Sequence, residues 1–163
     1  INSKMKNEII KSLAFCSGHT GIAGGQELDL KFENKKRSLN QIINMQEKKT
    51  GKLFSFCLFA VGIVSKQNKK EIKNLTHIGE QIGLLFQLAD DFLDIKGSNR
   101  SLGKSTKKDR KKGKSTLVNL LGYEKAYMYA LNLKKKILLK LEKHGKKAKD
   151  LNETIEFILG RNF

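Results

Sequence analysis

Proline is absent from this 163-residue chain, and cysteine occurs only twice. Because proline disrupts helix interiors more than any other residue, its absence fits a helical chain without proving one. The two cysteines, Cys16 and Cys57, lie far apart among apolar residues without metal-binding spacing, which predicts two buried, reduced thiols. No apolar run approaches the roughly 20 residues that a membrane-spanning helix needs. No signal peptide is visible either, so we expect no stable membrane insertion.

Acidic residues are scarce, with 16 Asp and Glu against 33 Lys and Arg, which gives a net charge of +17. A strongly basic chain keeps a nucleic-acid-binding helical domain open as an alternative. However, the lysines are scattered across predicted helix faces as well as clustered, and few aromatic residues lie among them. Lys, Asn and Ile are abundant together, a bias that coding preference explains equally well. The composition therefore favours functions other than nucleic-acid binding.

Three of the six Asp residues fall within five positions, inside the otherwise apolar stretch 86–94. At about 100° per residue, Asp90 and Asp94 share one face of a helix, with Asp91 beside them and Gln87 one turn earlier. Carboxylates among large apolar side chains are costly to bury unless a positive group meets them. Such a cluster suits Mg²⁺, which takes one or two carboxylates and completes its shell with water and phosphate oxygens. The alternative is a solvated acidic patch at a helix end, which the flanking apolar residues disfavour.

Apolar periodicity predicts helices along most of the chain, and no strand or internal repeat is evident. The predicted helices cover approximately residues 2–20, 38–48, 53–65, 69–95, a segment from 115, 123–143 and 148–159. Ser38 is the predicted cap of the second helix, Gly51 the interruption before the third, and 31–37 a polar loop. In the long helix, Gly79 and Gly83 lower helix propensity but permit close helix packing. With a length typical of one domain, this pattern predicts an all-α fold.

A polar, strongly basic segment follows the long helix over residues 96–114. It contains Lys104 and Lys114, which together with a metal could hold a strongly anionic group. Both lysines stand in Gly-Lys-Ser sequences, which resemble the end of a phosphate-binding P-loop. That motif also needs a Gly five positions before the Gly-Lys pair, where this chain has Ser98 and Lys108 and no preceding strand. The P-loop interpretation is therefore rejected.

Four segments together resemble the trans-prenyl diphosphate synthases, most closely the bacterial farnesyl diphosphate synthases. They are Gly-Gly-Gln-Glu-Leu-Asp at 24–29, Lys-Thr-Gly at 49–51, Phe-Gln-Leu-Ala-Asp-Asp-Phe-Leu-Asp at 86–94, and the basic loop at 102–116. Their order and spacing match the family over nearly the whole chain, and the third segment matches its second aspartate-rich motif, D-D-x-x-D. The glycine pair at 24–25 also predicts close approach to a neighbouring segment. Four ordered segments are far more specific than D-D-x-x-D alone.

The resemblance implies an all-α, isoprenoid-synthase-type helical bundle around a central cavity, with residues 1–163 forming a single domain. It implies a Mg²⁺-dependent prenyltransferase that joins isopentenyl diphosphate head-to-tail to dimethylallyl or geranyl diphosphate and releases pyrophosphate. Catalysis would depend on neutralising the leaving group in a dry cavity, so that the second substrate's double bond can attack the allylic cation. The resemblance further implies a cytoplasmic homodimer that binds no nucleic acid.

By matching position, the resemblance also assigns roles to individual residues. Asp90 would be the main Mg²⁺ ligand, and Asp91 and Asp94 would act directly or through metal-bound water. Three lysines would contact the departing diphosphate: Lys49, Lys104 and Lys114. Two polar side chains would point at the developing cation: Thr50 and Gln87. Gln26 would line the cavity, unless it makes only a helix-packing hydrogen bond, and Lys114 could instead be a solvated surface lysine.

The family needs two aspartate-rich motifs on facing helices, but Asp90-Asp91 is the only Asp-Asp pair in this chain. The sequence also begins with Ile1 rather than Met. We therefore expect the C-terminal portion of a synthase, with the N-terminal helices missing and no activity alone. Product length cannot be predicted, because the family sets it near the first motif. The remaining alternative is a naturally split or non-catalytic subunit that binds or regulates a complete synthase.

Overall fold

The structure is a computed structural model that describes residues 1–100 and 115–161, excepting the side chains of 97–100. These residues contain no strand and form eight α-helices: α1 (Ser3–Ser17), α2 (Ile22–Phe32), α3 (Leu39–Gln46), α4 (Lys52–Val64), α5 (Lys69–Arg100), α6 (Leu117–Leu121), α7 (Tyr123–Leu141) and α8 (Lys149–Gly160). A π-helical turn, Glu47–Gly51, joins α3 to α4, and a 3₁₀-helix, Glu142–Ala148, joins α7 to α8. The prediction of an all-α chain is confirmed.

Most predicted helices are present with shifted ends, and two differences are larger. α2 has no counterpart among the predicted helices, and because it ends at Phe32 the polar loop begins after that residue. Gly51 does not interrupt the helix as predicted. The π-helical turn is flanked by helical backbone at Gln46 and Lys52, so α3 and α4 are continuous through it. α5 also extends to Arg100, beyond the predicted end near residue 95.

Side chains cap helices where the sequence provides Ser or Thr. Ser38 Oγ accepts a hydrogen bond from the N–H of Gln41 (3.3 Å), and Gln41 Oε1 accepts one from the N–H of Ser38 (3.0 Å). This reciprocal pair confirms the predicted cap of α3. Thr116 Oγ1 likewise accepts from the N–H of Asn119 (3.1 Å) at the start of α6.

Two compact units make up the chain, and α5 contributes to both. The first unit contains residues 1–30 and 43–84, and the second contains the described residues of 31–42 and 85–163. In the first unit, α1 packs against α4. The core of this unit is built from apolar side chains of four helices: Cys16, Met45, Ile63, Leu75, Ile78 and Ile82.

Glycines allow segments of the first unit to approach each other at the level of the backbone. Gly25 of α2 lies directly against the backbone of Lys49. An ideal Cβ atom on Gly79 would lie 2.5 Å from a carbonyl oxygen of α4, and one on Gly83 would lie 2.5 Å from the Cα atom of Gly51. Any larger residue would force these backbones apart. The close approaches predicted for the glycine pair and for α5 are confirmed.

In the second unit, α7 packs against both α6 and α8. Several helices supply its fully buried side chains: Leu85, Leu88, Leu117, Ile137, Leu141 and Ile155. The ring of Phe92 meets the rings of Tyr123 and Tyr127 edge to face, with centroids 5.2 and 5.6 Å apart. These aromatic contacts fix the C-terminal half of α5 against the start of α7.

α4 is apolar apart from Lys52 and Ser55, and burial of one face leaves another apolar face exposed. Cys57 lies on the exposed face with Leu53, Val61 and Val64, whereas Cys16 is buried. The prediction of two buried thiols is therefore wrong for Cys57, although both cysteines are free of disulfides. Neither α4 nor any other helix in the described ranges is long and apolar enough to cross a membrane.

Candidate functional site

α5 is buried on almost every side between residues 82 and 92, and the exceptions carry the candidate chemistry. In this stretch only Phe86, Gln87 and Asp90 are partly exposed, and beyond it Asp94 is exposed. Residues four apart on a helix share a face, so Phe86, Asp90 and Asp94 lie along one line with Gln87 beside it. Most residues between them are apolar and pack inward, which leaves these four as the open strip of α5.

Asp91 is the buried carboxylate of the aspartate motif, with only 9% of its surface exposed. Gln87 Nε2 donates a hydrogen bond to Asp91 Oδ1 at 3.3 Å. A hydrogen bond to a buried carboxylate offsets part of the free energy lost when the group leaves water. Gln87 therefore supports Asp91 from the preceding turn, while its contact with a developing cation and the metal ligation by Asp91 stay predictions.

Arg161, which follows α8 directly, contacts the open strip at Asp90. Arg161 Nη2 donates to Asp90 Oδ1 at 3.1 Å, and the guanidinium carbon lies 4.7 Å from the centre of the Phe86 ring. Arg161 Nε also donates to the carbonyl oxygen of Ile158 at 3.1 Å. These contacts hold the guanidinium group in place, and only 14% of the side chain is exposed.

The sequence predicts a positive group near the carboxylates without identifying Arg161. The signal was the cost of placing Asp among apolar residues, which predicts a cation without saying which one. Arg161 lies 71 positions after Asp90 and is one of 33 basic residues in the chain. Helical periodicity cannot choose among them, because the pairing depends on how α8 packs in the second unit.

The open strip fits a divalent cation that receives only some of its ligands from the protein. Asp90 has 42% of its side chain exposed and Asp94 is exposed, so carboxylates one turn apart are accessible. Mg²⁺ commonly takes one or two carboxylates and completes its shell with water and phosphate oxygens. Within residues 1–96 and 115–161, no group of three or more His, Cys, Asp or Glu side chains is placed to hold a metal ion. The donors therefore fit Mg²⁺ that arrives with a diphosphate, and not a closed protein site.

In the first unit, the Lys-Thr-Gly segment occupies the π-helical turn between α3 and α4. Lys49 Nζ lies 2.6 Å from Asp29 Oδ2, and both side chains are partly buried. Isolated π-helical turns often occur at functional sites. The structure thus joins the Gly-Gln-x-x-Asp segment to the Lys-Thr-Gly segment by an ion pair, and it identifies Asp29 as a partner that the sequence analysis left without a role.

Ionisable side chains lie near the start of the same turn, at Glu47. Lys52 Nζ donates to Glu80 Oε1 at 2.8 Å, and His77 Nδ1 lies 3.5 Å from Glu80 Oε2. Burial raises the pKa of Glu47 above its ordinary value of 4.5, and the nearby charge of Glu80 raises that pKa further, against smaller opposing effects of Lys52 and His77. The turn that holds Lys49 therefore begins at a carboxyl group whose charged form is disfavoured.

The other predicted site residues are divided between the units. Gln26 is exposed on α2 and Thr50 is half-buried in the π-helical turn, both in the first unit, whereas the aspartate motif and Gln87 belong to the second. The predicted diphosphate ligands Lys104 and Lys114 lie outside the described residues.

Comparison with known proteins identifies the family of the chain. The sequence profile of the polyprenyl synthetase family matches residues 3–158. The chain belongs to this family. The resemblance inferred from the four motif segments is thereby confirmed for nearly the whole sequence.

Two relatives within the polyprenyl synthetase family define the extent of the match. Farnesyl diphosphate synthase of Micrococcus luteus is 38% identical over 124 residues, which are 76% of this chain and 43% of that protein. Farnesyl diphosphate synthase of Escherichia coli K12 is 33% identical over 167 residues, which are 99% of this chain and 56% of that protein. The chain thus spans about half the length of the curated relatives it matches.

Solved structures of the family share the fold. An FPP/GFPP synthase from Zymomonas mobilis in its apo form is 35% identical and has a TM-score of 0.83, covering 96% of this chain and 52% of that one. A geranyltransferase from Helicobacter pylori, complexed with magnesium and isoprenyl diphosphate, is 35% identical with a TM-score of 0.78 and covers 98% of this chain and 52% of that one. The predicted all-α, isoprenoid-synthase-type fold is confirmed.

Proposed function

We propose that this chain is the half of a prenyltransferase that supplies the D-D-x-x-D motif following the Lys-Thr-Gly segment. The complete enzyme would join isopentenyl diphosphate head-to-tail to an allylic diphosphate and release pyrophosphate. Membership of the polyprenyl synthetase family and relatives named farnesyl diphosphate synthase support this assignment. A cytoplasmic location and a homodimeric state are further parts of the proposal, and their support is the family resemblance alone.

The observation that carries the proposal is the open strip of α5. It places the accessible carboxylates of Asp90 and Asp94 one turn apart on a helix whose residues 82–92 are mostly buried. A rigid, buried helix fixes the position of its exposed side chains, as a metal-dependent site requires. The partial donor set leaves coordination positions for phosphate oxygens, which suits a substrate that carries a diphosphate group.

Asp90 would be the main ligand of Mg²⁺, with Asp91 and Asp94 acting directly or through metal-bound water. The hydrogen bond from Gln87 would keep Asp91 in place. Bound Mg²⁺ would neutralise charge on the leaving diphosphate. By resemblance to the family, contacts with a substrate diphosphate are assigned to Lys49, Lys104 and Lys114. Thr50 and Gln87 would direct polar atoms at the allylic cation, and Gln26 would line its cavity.

A chimera with a complete relative tests this function. We would replace the matched residues of the Escherichia coli farnesyl diphosphate synthase by this chain and assay isopentenyl and dimethylallyl diphosphates with Mg²⁺. We expect the chimera to make prenyl product and the 163-residue chain alone to make none, because it has a single Asp-Asp pair. A folded chimera that neither binds allylic diphosphate nor turns it over would contradict the assignment.

The chimera and the 163-residue chain also distinguish the proposed function from its alternatives. Salt-dependent DNA binding that ignores Mg²⁺ and diphosphate would favour the nucleic-acid-binding domain. Robust turnover by the chain alone would show that the single aspartate motif is sufficient, and would overturn the view that it is half of the catalytic machinery.

A further inference from the structure

Arg161 is a cation held by three contacts at the open strip of α5. Its guanidinium group donates to Asp90, lies over the ring of Phe86 and donates to the carbonyl oxygen of Ile158. The ion pair, the cation–π contact and the backbone hydrogen bond all restrict the same planar group. The chain therefore keeps a fixed positive charge beside the carboxylate that is the first candidate for holding a metal ion.

This charge has two opposite effects on the ligands of the proposed site. A guanidinium group remains charged at any physiological pH, so it neutralises Asp90 and repels a bare divalent cation that approaches the same carboxylate. It contacts only one oxygen of Asp90 and donates through several N–H groups, so it can also bind an anion that arrives with the cation. The sign of its effect thus depends on whether a diphosphate is present.

We propose that Arg161 couples cation binding to diphosphate binding at the open strip. Without an anion, Arg161 stays paired with Asp90, and the affinity of the Asp90 carboxylate for a free divalent cation is low. When the cation and a diphosphate arrive together, the Asp90 carboxylate binds the cation and the guanidinium group binds the diphosphate. The inference rests on the proposed function of the strip, and it adds a residue outside the aspartate motif that makes the metal site selective for metal–diphosphate complexes.

Binding measurements on the 163-residue chain test this coupling without any turnover. The two probes are Mn²⁺ alone and a premixed Mn²⁺–pyrophosphate complex, each followed by the electron paramagnetic resonance signal of the unbound species. In Arg161→Gln we expect binding of Mn²⁺ alone to strengthen, and binding of Mn²⁺–pyrophosphate to weaken, each by roughly three- to tenfold. Lys134→Gln, which removes the exposed ion pair between Lys134 and Glu156, should change neither affinity more than about twofold.

A second neutral variant separates charge from packing. Arg161→Met retains a long apolar side chain over the ring of Phe86, so it should fold where Arg161→Gln does not and should show the same two shifts. Arg161→Lys retains the charge and should keep the affinity for free Mn²⁺ near the wild-type value.

The outcomes separate failure of the proposed coupling from failure of the proposed metal site. If free Mn²⁺ does not bind more tightly to the folded neutral variants, or if Mn²⁺–pyrophosphate does not bind more weakly, the coupling is wrong and Arg161 is a structural residue. If the wild-type chain binds neither probe, the proposed metal site fails, and the coupling fails with it. Binding of both probes by the wild type, unchanged in the variants, would overturn the coupling alone.

Discussion

Lys49 Nζ lies 2.6 Å from Asp29 Oδ2, which joins two sequence motifs twenty positions apart. The exposed fractions of the two side chains are 32% and 19%, so water competes only in part for this ion pair. Gly25 lies against the backbone of Lys49, which brings α2 directly onto the π-helical turn. Asp29 therefore orients the ammonium group that the proposed function assigns to diphosphate binding.

A double-mutant cycle should show that this ion pair stabilises the fold. Partial burial strengthens the attraction relative to a surface pair, so we expect a coupling of about 1 kcal/mol between Asp29→Asn and Lys49→Gln. Urea unfolding of the wild type, the two single variants and the double variant gives this value. The control cycle uses Lys134 and Glu156, whose separation is also 2.6 Å but whose carboxylate is 56% exposed. Its coupling should stay below about 0.5 kcal/mol, and equal couplings would rule out a contribution from burial.

Gly79→Ala should destabilise the first unit although alanine is the better helix former. The added Cβ would lie 2.5 Å from the carbonyl oxygen of Phe54 and 2.6 Å from the Cα atom of Ser55, so backbone must move. We expect the clash to cost about 2–3 kcal/mol of the free energy of unfolding. This exceeds the gain of about 1 kcal/mol in helix propensity, so the variant should be less stable than the wild type. Gly160→Ala is the control, because among the described residues nothing beyond its own helix backbone and chain neighbours lies within 4 Å of its Cβ position. A neutral or stabilising Gly79→Ala would show that α5 does not pack this closely.

Glu47→Gln should stabilise the protein near neutral pH and lose this advantage in acid. The pKa of Glu47 is raised by burial and by Glu80, so the folded state binds this proton more readily than the unfolded state. The stability that protonation of Glu47 adds to the fold is therefore fully present below pH 4.5, the ordinary value of its pKa. That stability is lost as pH rises through the pKa of the folded state. Urea unfolding from pH 4 to 7 should show the variant increasingly more stable than the wild type toward pH 7.

The exposed Glu8 on α1 supplies the control for this titration. Glu8→Gln should leave the pH dependence of unfolding as it is in the wild type. If the free energy difference between Glu47→Gln and the wild type were constant across this range, burial of Glu47 would have no part in the pH dependence.

The sequence allowed the helical architecture and the motif positions to be predicted, because both depend on local patterns. Apolar periodicity located α1, α5 and α7, and four short segments sufficed to recognise the family. α2 was missed because two adjacent glycines lower helix propensity. Contacts of Gly24 with His19 and of Gly25 with Lys49 require those glycines, and they form only in the folded chain.

Pairings between distant residues could not be predicted from the sequence. The π-helical turn at Lys49 has no periodic signal, and Asp29 was visible only as part of a motif. Arg161 and Asp90 belong to the same unit but lie 71 positions apart, and no local pattern encodes their contact. The exposure of Cys57 was likewise missed, because the sequence of a helix that is apolar on nearly every side does not reveal which face is buried.

The most direct test of the proposed function is the turnover of the chimeric synthase with Asp90→Ala. Removing a metal-binding carboxylate should lower kcat by about a hundredfold or more while circular dichroism shows an intact fold. Asp150→Ala, on an exposed position of α8, is the matched control and should stay within about twofold of the unmodified chimera. Loss of turnover confined to Asp90→Ala is the result we predict. Near-normal turnover in that variant would contradict the assignment of Asp90 as the principal ligand of Mg²⁺.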